Sequence, residues 1–427
     1  MLATRSTLSP PGSNAPQLFT GTAVFLLAAI ALVVPSGYSL GAVLLLIAGL
    51  GLIAARRVPT LTKQDGAIIA VLVAYAAITM LEAWWDGQGI KGLDKPSRYL
   101  LAIPALFWVL RYPPKLAFLW SGVAVGAISA GSWAGWQKLV LGVDRAQGHT
   151  QVIQFGNLSM LLGVLCMAGL GWAVVQRQRN FWIGLLLAGT LGGLLGSLFS
   201  GSRGGWVGFP IVLLVLYRAY GRQLPTQFKV AVLAAVMIGG LTVYAVPQIG
   251  VQDRVHQAFS DVSLYISGEN RSTSLGARFE MWRGAAMLIQ EKPFTGWGSI
   301  GYADAMYAFG EAGVISREAA QYNHAHNEFV DAFAKRGILG LLFLLALYLV
   351  PMRFFTCDLQ APNLETRAVA TAGVLLSVTY IDFGLSQAFL AHNSGIMMYV
   401  FFLVVLWGSF VKQLKYDYSP SFTALNE

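Results

Sequence analysis

Charged residues are scarce in this sequence. Of its 427 residues only 11% are Asp, Glu, Lys or Arg, whereas 56% are hydrophobic. A soluble globular domain carries charge on about 25% of its residues. The scarcity of charge therefore excludes a soluble protein and predicts an integral membrane protein.

Cysteines are also rare, and the first residues do not have the pattern of a signal peptide. The chain has only two cysteines, Cys166 and Cys357, which excludes a disulfide framework and makes redox chemistry an improbable function. Residues 1–17 are rich in Ser and Pro and lack the basic-then-apolar order and the small-residue cleavage site of a signal peptide. We therefore expect the first apolar segment to be retained as a membrane helix.

Several motifs that would assign an activity are absent. The sequence has no Gly-x-x-x-x-Gly-Lys loop, no Gly-x-Ser-x-Gly elbow and no Asp-x-Asp motif in a loop, so it shows no sign of using ATP or a nucleotide sugar. Apart from Asp382, the apolar segments contain no acidic residue, which weakens the hypothesis of a proton-coupled transporter. No internal repeat of the kind found in many transporters is evident.

Long apolar runs fill most of the chain. Read against the roughly 20 residues that a spanning helix needs, they predict twelve spans, centred near residues 27, 46, 75, 105, 127, 164, 190, 212, 238, 346, 377 and 402. The fourth, Arg98 to Tyr112, is short and contains Pro104, and the eighth, Gly205 to about Tyr217, is also short. The predicted fold class is an all-α polytopic membrane protein with both termini on one side.

The distribution of charge predicts the orientation. If the N-terminus is cytoplasmic, the cytoplasmic side carries 15 basic and 5 acidic residues, the other side carries 14 of each, and Asp382 lies in a span. This asymmetry follows the positive-inside rule. The net charge of +9 therefore reflects topology and indicates no nucleic-acid partner.

This orientation divides the chain into five predicted segments. They are a cytoplasmic tail (1–17), spans one to nine (18–247), a large periplasmic loop (248–337), spans ten to twelve (338–412) and a cytoplasmic tail (413–427). The loop is the longest polar interval in an otherwise apolar chain. A protein that only spans the bilayer has no need of such an interval, whereas one that performs chemistry at the membrane surface does.

A short turn between the seventh and eighth spans has the composition of an anion site. Its sequence is Ser200-Gly-Ser202-Arg203-Gly204-Gly205-Trp206. Glycines let a ligand approach the backbone, a helix start offers free N–H groups, and a guanidinium suits phosphate. Arg203 could equally be an arginine that extends towards the lipid headgroups.

A second arginine lies in the large loop. Residues 272–283 have Ser and Thr residues as a helix cap, followed by apolar positions at Phe279, Trp282, Ala286 and Ile289. Arg278 is either a ligand for an anion or a solvated residue of an amphipathic helix. For Arg283 we favour the solvated position.

Histidines are concentrated just before the tenth span, in Asn323-His324-Ala-His326-Asn327-Glu328. Two histidines at i and i+2 could bind a metal, but no third ligand occurs at a recognisable spacing, so we predict no metal. Neutral imidazole can accept a proton near pH 7, which makes this pair the best candidate for a general base. The other three histidines (His149, His256 and His392) lack such neighbours. Hydrogen-bonded surface histidines remain the alternative.

These motifs together resemble the O-antigen ligase family. The resemblance rests on twelve spans, Ser202-Arg203-Gly-Gly-Trp206, Arg278 with Trp282, Gly296-Trp-Gly298 and His326-Asn327-Glu-Phe329 before a span, and covers the chain from about the sixth span onwards. It implies a GT-C-like helical fold and an inverting, metal-independent glycosyltransferase without cofactors. Such enzymes move a glycan from undecaprenyl pyrophosphate to lipid A–core on the periplasmic face of the inner membrane.

The resemblance also implies roles for individual residues. Arg203 and Arg278 would bind the donor pyrophosphate, and His326 would activate the acceptor hydroxyl. We expect Gly204, Trp282, His324 and Asn327 beside them in the substrate site, with no fixed role for His324. The implied partners are the lipid-linked donor, the lipid A–core acceptor and membrane lipids. An O-antigen polymerase and a protein O-oligosaccharyltransferase share this architecture, and a non-enzymatic transporter of lipid-linked glycans is a further alternative.

Overall fold

The chain folds into helices joined by short connections. The computed structural model describes residues 14–202, 204–246 and 251–418, and no β-strand occurs in these ranges. The helices are α1 (Ala15–Ala29), α2 (Gly37–Ala54), α3 (Lys63–Trp85), α4 (Gly89–Arg111), α5 (Leu116–Leu139), α6 (Val152–Val174), α7 (Arg179–Ser200), α8 (Phe209–Ala219), α9 (Thr226–Ala245), α10 (Val251–Ser267), α11 (Ser274–Glu291), α12 (Ser299–Glu311), α13 (Arg317–Ala320), α14 (Glu328–Cys357), α15 (Leu364–Ser386) and α16 (Asn393–Tyr418).

Each of the twelve predicted spans coincides with a helix. Within the described ranges, eight helices are long and apolar enough to cross a membrane, and three shorter apolar helices cover the first, eighth and ninth predicted spans. A polytopic all-α membrane protein is therefore confirmed. The remaining span differs from its prediction, because α4 begins at Gly89 and not at Arg98. The charged first turns of α4 conceal its start from a hydropathy reading, although Asp94 and Arg98 form an ion pair one turn apart at 2.8 Å.

The core of the bundle lies around three helices. In α6, α15 and α16, 83%, 83% and 94% of the spanning residues are buried, against 33% in α2, α7 and α14. Asp382, the acidic residue predicted to lie inside a span, is buried in α15 and accepts a hydrogen bond of 2.6 Å from the Gly208 N–H just before α8. Its carboxylate therefore holds the start of a neighbouring helix.

Connections that follow alternate spans meet at one end of the bundle. The His149 N–H donates to the Leu32 carbonyl at 3.2 Å. The Ile300 N–H donates to the Asp86 carboxylate at 2.7 Å. These residues follow the first, third, fifth and ninth predicted spans, as expected for helices that alternate in direction.

The long polar interval contains a compact helical unit at this end. The buried carboxylate of Glu280 in α11 accepts hydrogen bonds from the Tyr265 hydroxyl at 2.9 Å and from the Ser316 N–H at 3.1 Å, which joins α10, α11 and the start of α13. The predicted start of α11 is confirmed, since the Thr273 hydroxyl caps it. The buried face of α11 is different from the predicted apolar stripe, because Ala286 is exposed. The buried residues on this face are Ala277, Met281, Ala285 and Leu288.

A glycine interrupts α14 where the polar interval meets the membrane bundle. Gly337 has φ +63°, a left-handed conformation that favours glycine. Gly296-Trp297-Gly298 packs against this point, since the Trp297 N–H donates to the Ala334 carbonyl at 3.0 Å and the Gly298 N–H donates to the Lys335 carbonyl at 2.9 Å. The Trp297 indole N–H donates to the Leu288 carbonyl. These contacts give the Gly-Trp-Gly segment a structural role.

Candidate active site

The histidine segment is anchored by the first residues of α14. Asn327 caps this helix, because its side-chain oxygen accepts hydrogen bonds from the N–H groups of Phe329 and Val330 at 3.0 and 3.1 Å. Its amide nitrogen donates to the Leu385 carbonyl at 3.2 Å. Both ends of this amide therefore hold backbone in place.

Three consecutive side chains attach the segment to the connection between α15 and α16. The Asn327 amide reaches Leu385, as described above. On either side of it, His326 Nδ1 lies 2.5 Å from Gln387 Oε1, and the buried Glu328 carboxylate accepts a hydrogen bond of 2.8 Å from the Leu390 N–H. The position of His326 is thus defined by a second, distant part of the chain.

The backbone of His326 has an unusual conformation. Its φ is +47°, which costs about 1–3 kcal/mol for a residue other than glycine and persists only where neighbours hold it. The preceding residue supplies these constraints. The Ala325 N–H donates to the Asp331 carboxylate at 3.0 Å, and the Ala325 carbonyl accepts a hydrogen bond of 2.9 Å from the Trp282 indole. Trp282 therefore positions the histidine turn.

Gln387 defines which nitrogen of His326 carries the proton. An amide oxygen can only accept a hydrogen bond, so this contact assigns the proton of neutral His326 to Nδ1 and the lone pair to Nε2. The Gln387 amide nitrogen in turn lies 3.2 Å from His392 Nε2. Gln387 thus links His326 to His392, which lies outside the histidine segment of the sequence.

The histidines at this site are neutral at pH 7. Burial is the main cause that lowers the pKa of His326 below its ordinary value of 6.5, and the charge of Arg278 lowers it further. Burial and the adjacent His326 lower the pKa of His324 to about 4. Burial and Lys95 lower the pKa of His392 to about 4. An unprotonated Nε2 on His326 is the form that a general base requires.

Arg278 lies on α11 within electrostatic reach of this histidine. Its side chain is half-buried. Arg283, five residues further along the same helix, is 49% exposed in its side chain and lies 3.7 Å from the Glu280 carboxylate. The two arginines therefore differ, since Arg278 is half-buried and its charge acts on His326, whereas Arg283 is exposed to solvent.

The turn between α7 and α8 approaches the same connection. Arg203 lies outside the described residues, but the residues on either side of it are described. A Cβ atom added to Gly204 would lie 1.9 Å from the hydroxyl of Ser386, the residue next to Gln387, so a larger residue would displace this side chain. The Ser202 hydroxyl donates to Asn157 at 2.9 Å. The turn is therefore packed against the end of α15.

His324 lies against His326 with their ring centroids 4.3 Å apart. Its Nδ1 is 2.9 Å from the Asn323 side-chain oxygen, and its buried Nε2 has no hydrogen-bond partner in the part of the chain that the structure describes. Within that same part, no group of three or more His, Cys, Asp and Glu side chains is arranged to hold a metal ion.

Comparison with known proteins identifies a family and two relatives that this chain resembles. The family described as O-antigen ligase matches residues 190–345, a range that includes the α7–α8 turn, α11 and the histidine segment. An uncharacterised protein of Haemophilus influenzae is 30% identical over 373 residues, which cover 86% of this chain and 92% of that protein. An O-antigen ligase of Escherichia coli is 25% identical over 194 residues, 44% of each chain.

Proposed function

Since this chain belongs to the O-antigen ligase family, we propose that it is the glycosyltransferase that joins an O-antigen glycan to lipid A–core in lipopolysaccharide biosynthesis. The proposed donor is the glycan linked to undecaprenyl pyrophosphate. The proposed location is the periplasmic face of the bacterial inner membrane, with both termini in the cytoplasm, as the charge distribution predicts. The single observation that carries the proposal is a neutral His326 that Gln387 holds through Nδ1 within electrostatic reach of Arg278.

His326 is the proposed general base. Its Nε2 takes the proton from the acceptor hydroxyl as the oxygen attacks the anomeric carbon of the donor sugar. The bond between this carbon and the pyrophosphate oxygen breaks, and undecaprenyl pyrophosphate leaves with the bonding electrons. Attack from the opposite side inverts the anomeric configuration. Proton transfer to a placed base contributes about 10²–10⁴ in rate.

Arg203 and Arg278 are the proposed ligands of the leaving pyrophosphate. Negative charge grows on the pyrophosphate as the glycosidic bond breaks, and fixed cations near that charge stabilise the transition state. Gly204 lets the Arg203 turn pack next to Gln387. We propose that Trp282 and Asn327 act on the substrates indirectly, by placing the histidine turn. His324 supplies a neutral neighbour whose ring packs against that of His326.

A glycan polymerase is the second candidate function. A polymerase would use the same base and the same arginines with a second lipid-linked glycan as acceptor. The family match favours a reaction of the ligase or polymerase type in either case.

Transfer between purified components tests the proposal. The protein in detergent, with excess EDTA, is expected to join a lipid-linked glycan to lipid A–core and to release undecaprenyl pyrophosphate in equal amount. The products are measured by gel shift and mass spectrometry. Extension of the lipid-linked glycan with lipid A–core untouched would identify a polymerase instead, and loss of activity restored by a divalent ion would contradict the metal-independent mechanism.

A further inference from the structure

A cavity lies on the far side of Gln387 from His326, next to His392. It has a volume of about 270 Å³ and is lined by Tyr38, Lys95, His149, Thr150, Gln151, Gln154, Ala391, His392, Asn393 and Ser394. These residues come from the starts of α2, α6 and α16, from α4, and from the connections before α6 and α16. The cavity therefore opens at the same end of the bundle as the candidate active site.

The chemistry of the cavity wall suits an anion. Among the described residues that line it, none is acidic. Lys95 is exposed at the mouth, and no carboxylate of a described residue lies within ion-pair distance of it. Asn393 and Ser394 in the wall form the first turn of α16, where backbone N–H groups have no acceptor within the helix.

Two hydrogen-bonding groups at the floor have no partner among the described residues. Gln154 is 1% exposed, and its side-chain oxygen already accepts a hydrogen bond from Ser394 at 3.4 Å. Its amide nitrogen, like the buried hydroxyl of Thr150, has no partner among the described residues. A buried donor without an acceptor costs about 1–3 kcal/mol. A bound acceptor in this cavity would remove that cost.

We propose that this cavity binds a phosphate group carried by a membrane-anchored lipid. A phosphate offers several acceptor oxygens to a cluster that combines one cation with several uncharged donors. His392 lines the cavity and also contacts Gln387, which holds His326. A phosphorylated glycolipid acceptor seated here would thus be fixed beside the base. The identity of that acceptor rests on the proposed function, whereas the phosphate site itself does not.

Binding measurements with the full-length protein in phosphatidylcholine nanodiscs test this site. The probes are lipid A–core, the same molecule after enzymatic dephosphorylation, and phosphatidylglycerol. The variants are Lys95→Met and Gln154→Leu. The control is Lys91→Met, because Lys91 is exposed one turn earlier on α4 and does not line the cavity. Melting temperatures establish that each variant is folded. Gln154→Leu is expected to change stability little, since it removes both a buried amide nitrogen with no partner among the described residues and the long hydrogen bond of 3.4 Å that Ser394 donates to the Gln154 oxygen.

Phosphorylated lipid A–core is expected to bind about tenfold or more tightly than the dephosphorylated form, which corresponds to one charged hydrogen bond. Lys95→Met and Gln154→Leu should both remove this difference, and Lys91→Met should retain it. The same pattern with phosphatidylglycerol, and not with lipid A–core, would assign the site to a phospholipid headgroup. Equal affinities for all probes in wild type and variants would overturn the proposal. This experiment measures binding and no transfer. If phosphate-dependent binding were intact while the transfer assay showed no ligation, only the proposed function would be contradicted.

Discussion

Two polar regions lie next to each other at one end of the bundle. One contains ion pairs, and the other contains neutral histidines. In the cavity of about 170 Å³ between α3, α4 and α14, Arg336 pairs with Glu82 at 2.9 Å. In its wall, Lys335 pairs with Asp331, also at 2.9 Å. The histidine turn, a few residues earlier in the chain, contains neutral imidazoles. His326 retains a free lone pair on Nε2, and the Nε2 atom of His324 has no partner among the described residues.

This difference separates residues that stabilise the fold from residues that can react with a substrate. Paired charges hold helices in position, and the charged atoms that form the two pairs, Arg336 Nη1 with Glu82 and Lys335 Nζ with Asp331, occupy each other. The His326 imidazole is held through Nδ1 by Gln387, which leaves Nε2 as the nitrogen for a substrate. The Asp331 carboxylate belongs to both regions, since it pairs with Lys335 and also accepts the Ala325 N–H before His326. The ion-paired region therefore fixes the geometry of the reactive one.

Loss of the base is expected to have the largest effect. His326→Ala should lower the rate of glycan transfer by about 10²–10⁴, because proton removal from the acceptor is no longer assisted. Binding of the lipid-linked donor should remain, since the arginines are retained. The measurement is single-turnover transfer together with donor affinity. His256→Ala is the control, because His256 is an exposed residue of α10. Transfer at the wild-type rate would remove His326 from the role of base.

Breaking the ion pair is expected to reduce stability by a comparable free energy. Arg336→Met leaves the buried Glu82 carboxylate without its partner, and such a loss costs about 3–5 kcal/mol. The double variant Glu82→Leu with Arg336→Met should recover most of this stability, because neither charge is then buried alone. Unfolding in detergent measures both.

A matched control for this pair is Arg283→Met. Its side chain is 49% exposed, so the loss of its contact with Glu280 should cost less than about 1 kcal/mol. If the double variant Glu82→Leu with Arg336→Met were as unstable as Arg336→Met alone, the attraction between the charges of Glu82 and Arg336 would not explain the loss of stability.

The fold could be predicted from the sequence because its signals are local. Each apolar run of spanning length became a helix, and the helix start at Thr273 followed from its cap. The start of α4 was missed, since Lys91, Asp94 and Lys95 lower the hydropathy of turns that nevertheless form a helix. The buried face of α11 was also missed, because it depends on which neighbours pack against it.

The candidate site could be predicted only in part. His326 and Arg278 were proposed from local motifs, a pair of histidines before a predicted span and an arginine near a predicted helix start. Gln387 and His392 were missed, since 61 residues separate Gln387 from His326 and no spacing links them. A topological signal was available. The polar connection from Gln387 to His392 lies between the last two predicted spans, on the same predicted side as the histidine segment. The tautomer of His326 required coordinates.

The smallest expected effect concerns this tautomer. A base must be neutral, so activity should fall as the pH is lowered through the pKa of His326, which burial and Arg278 hold below 6.5. Gln387→Glu places a carboxylate against Nδ1–H, stabilises the imidazolium and should raise this pKa by about one unit. The acid limb of kcat/KM should then move to higher pH. Gln387→Leu, which holds neither tautomer, should lower kcat at every pH instead. If Gln387 only supported the fold, both variants would lose activity without any displacement of the acid limb.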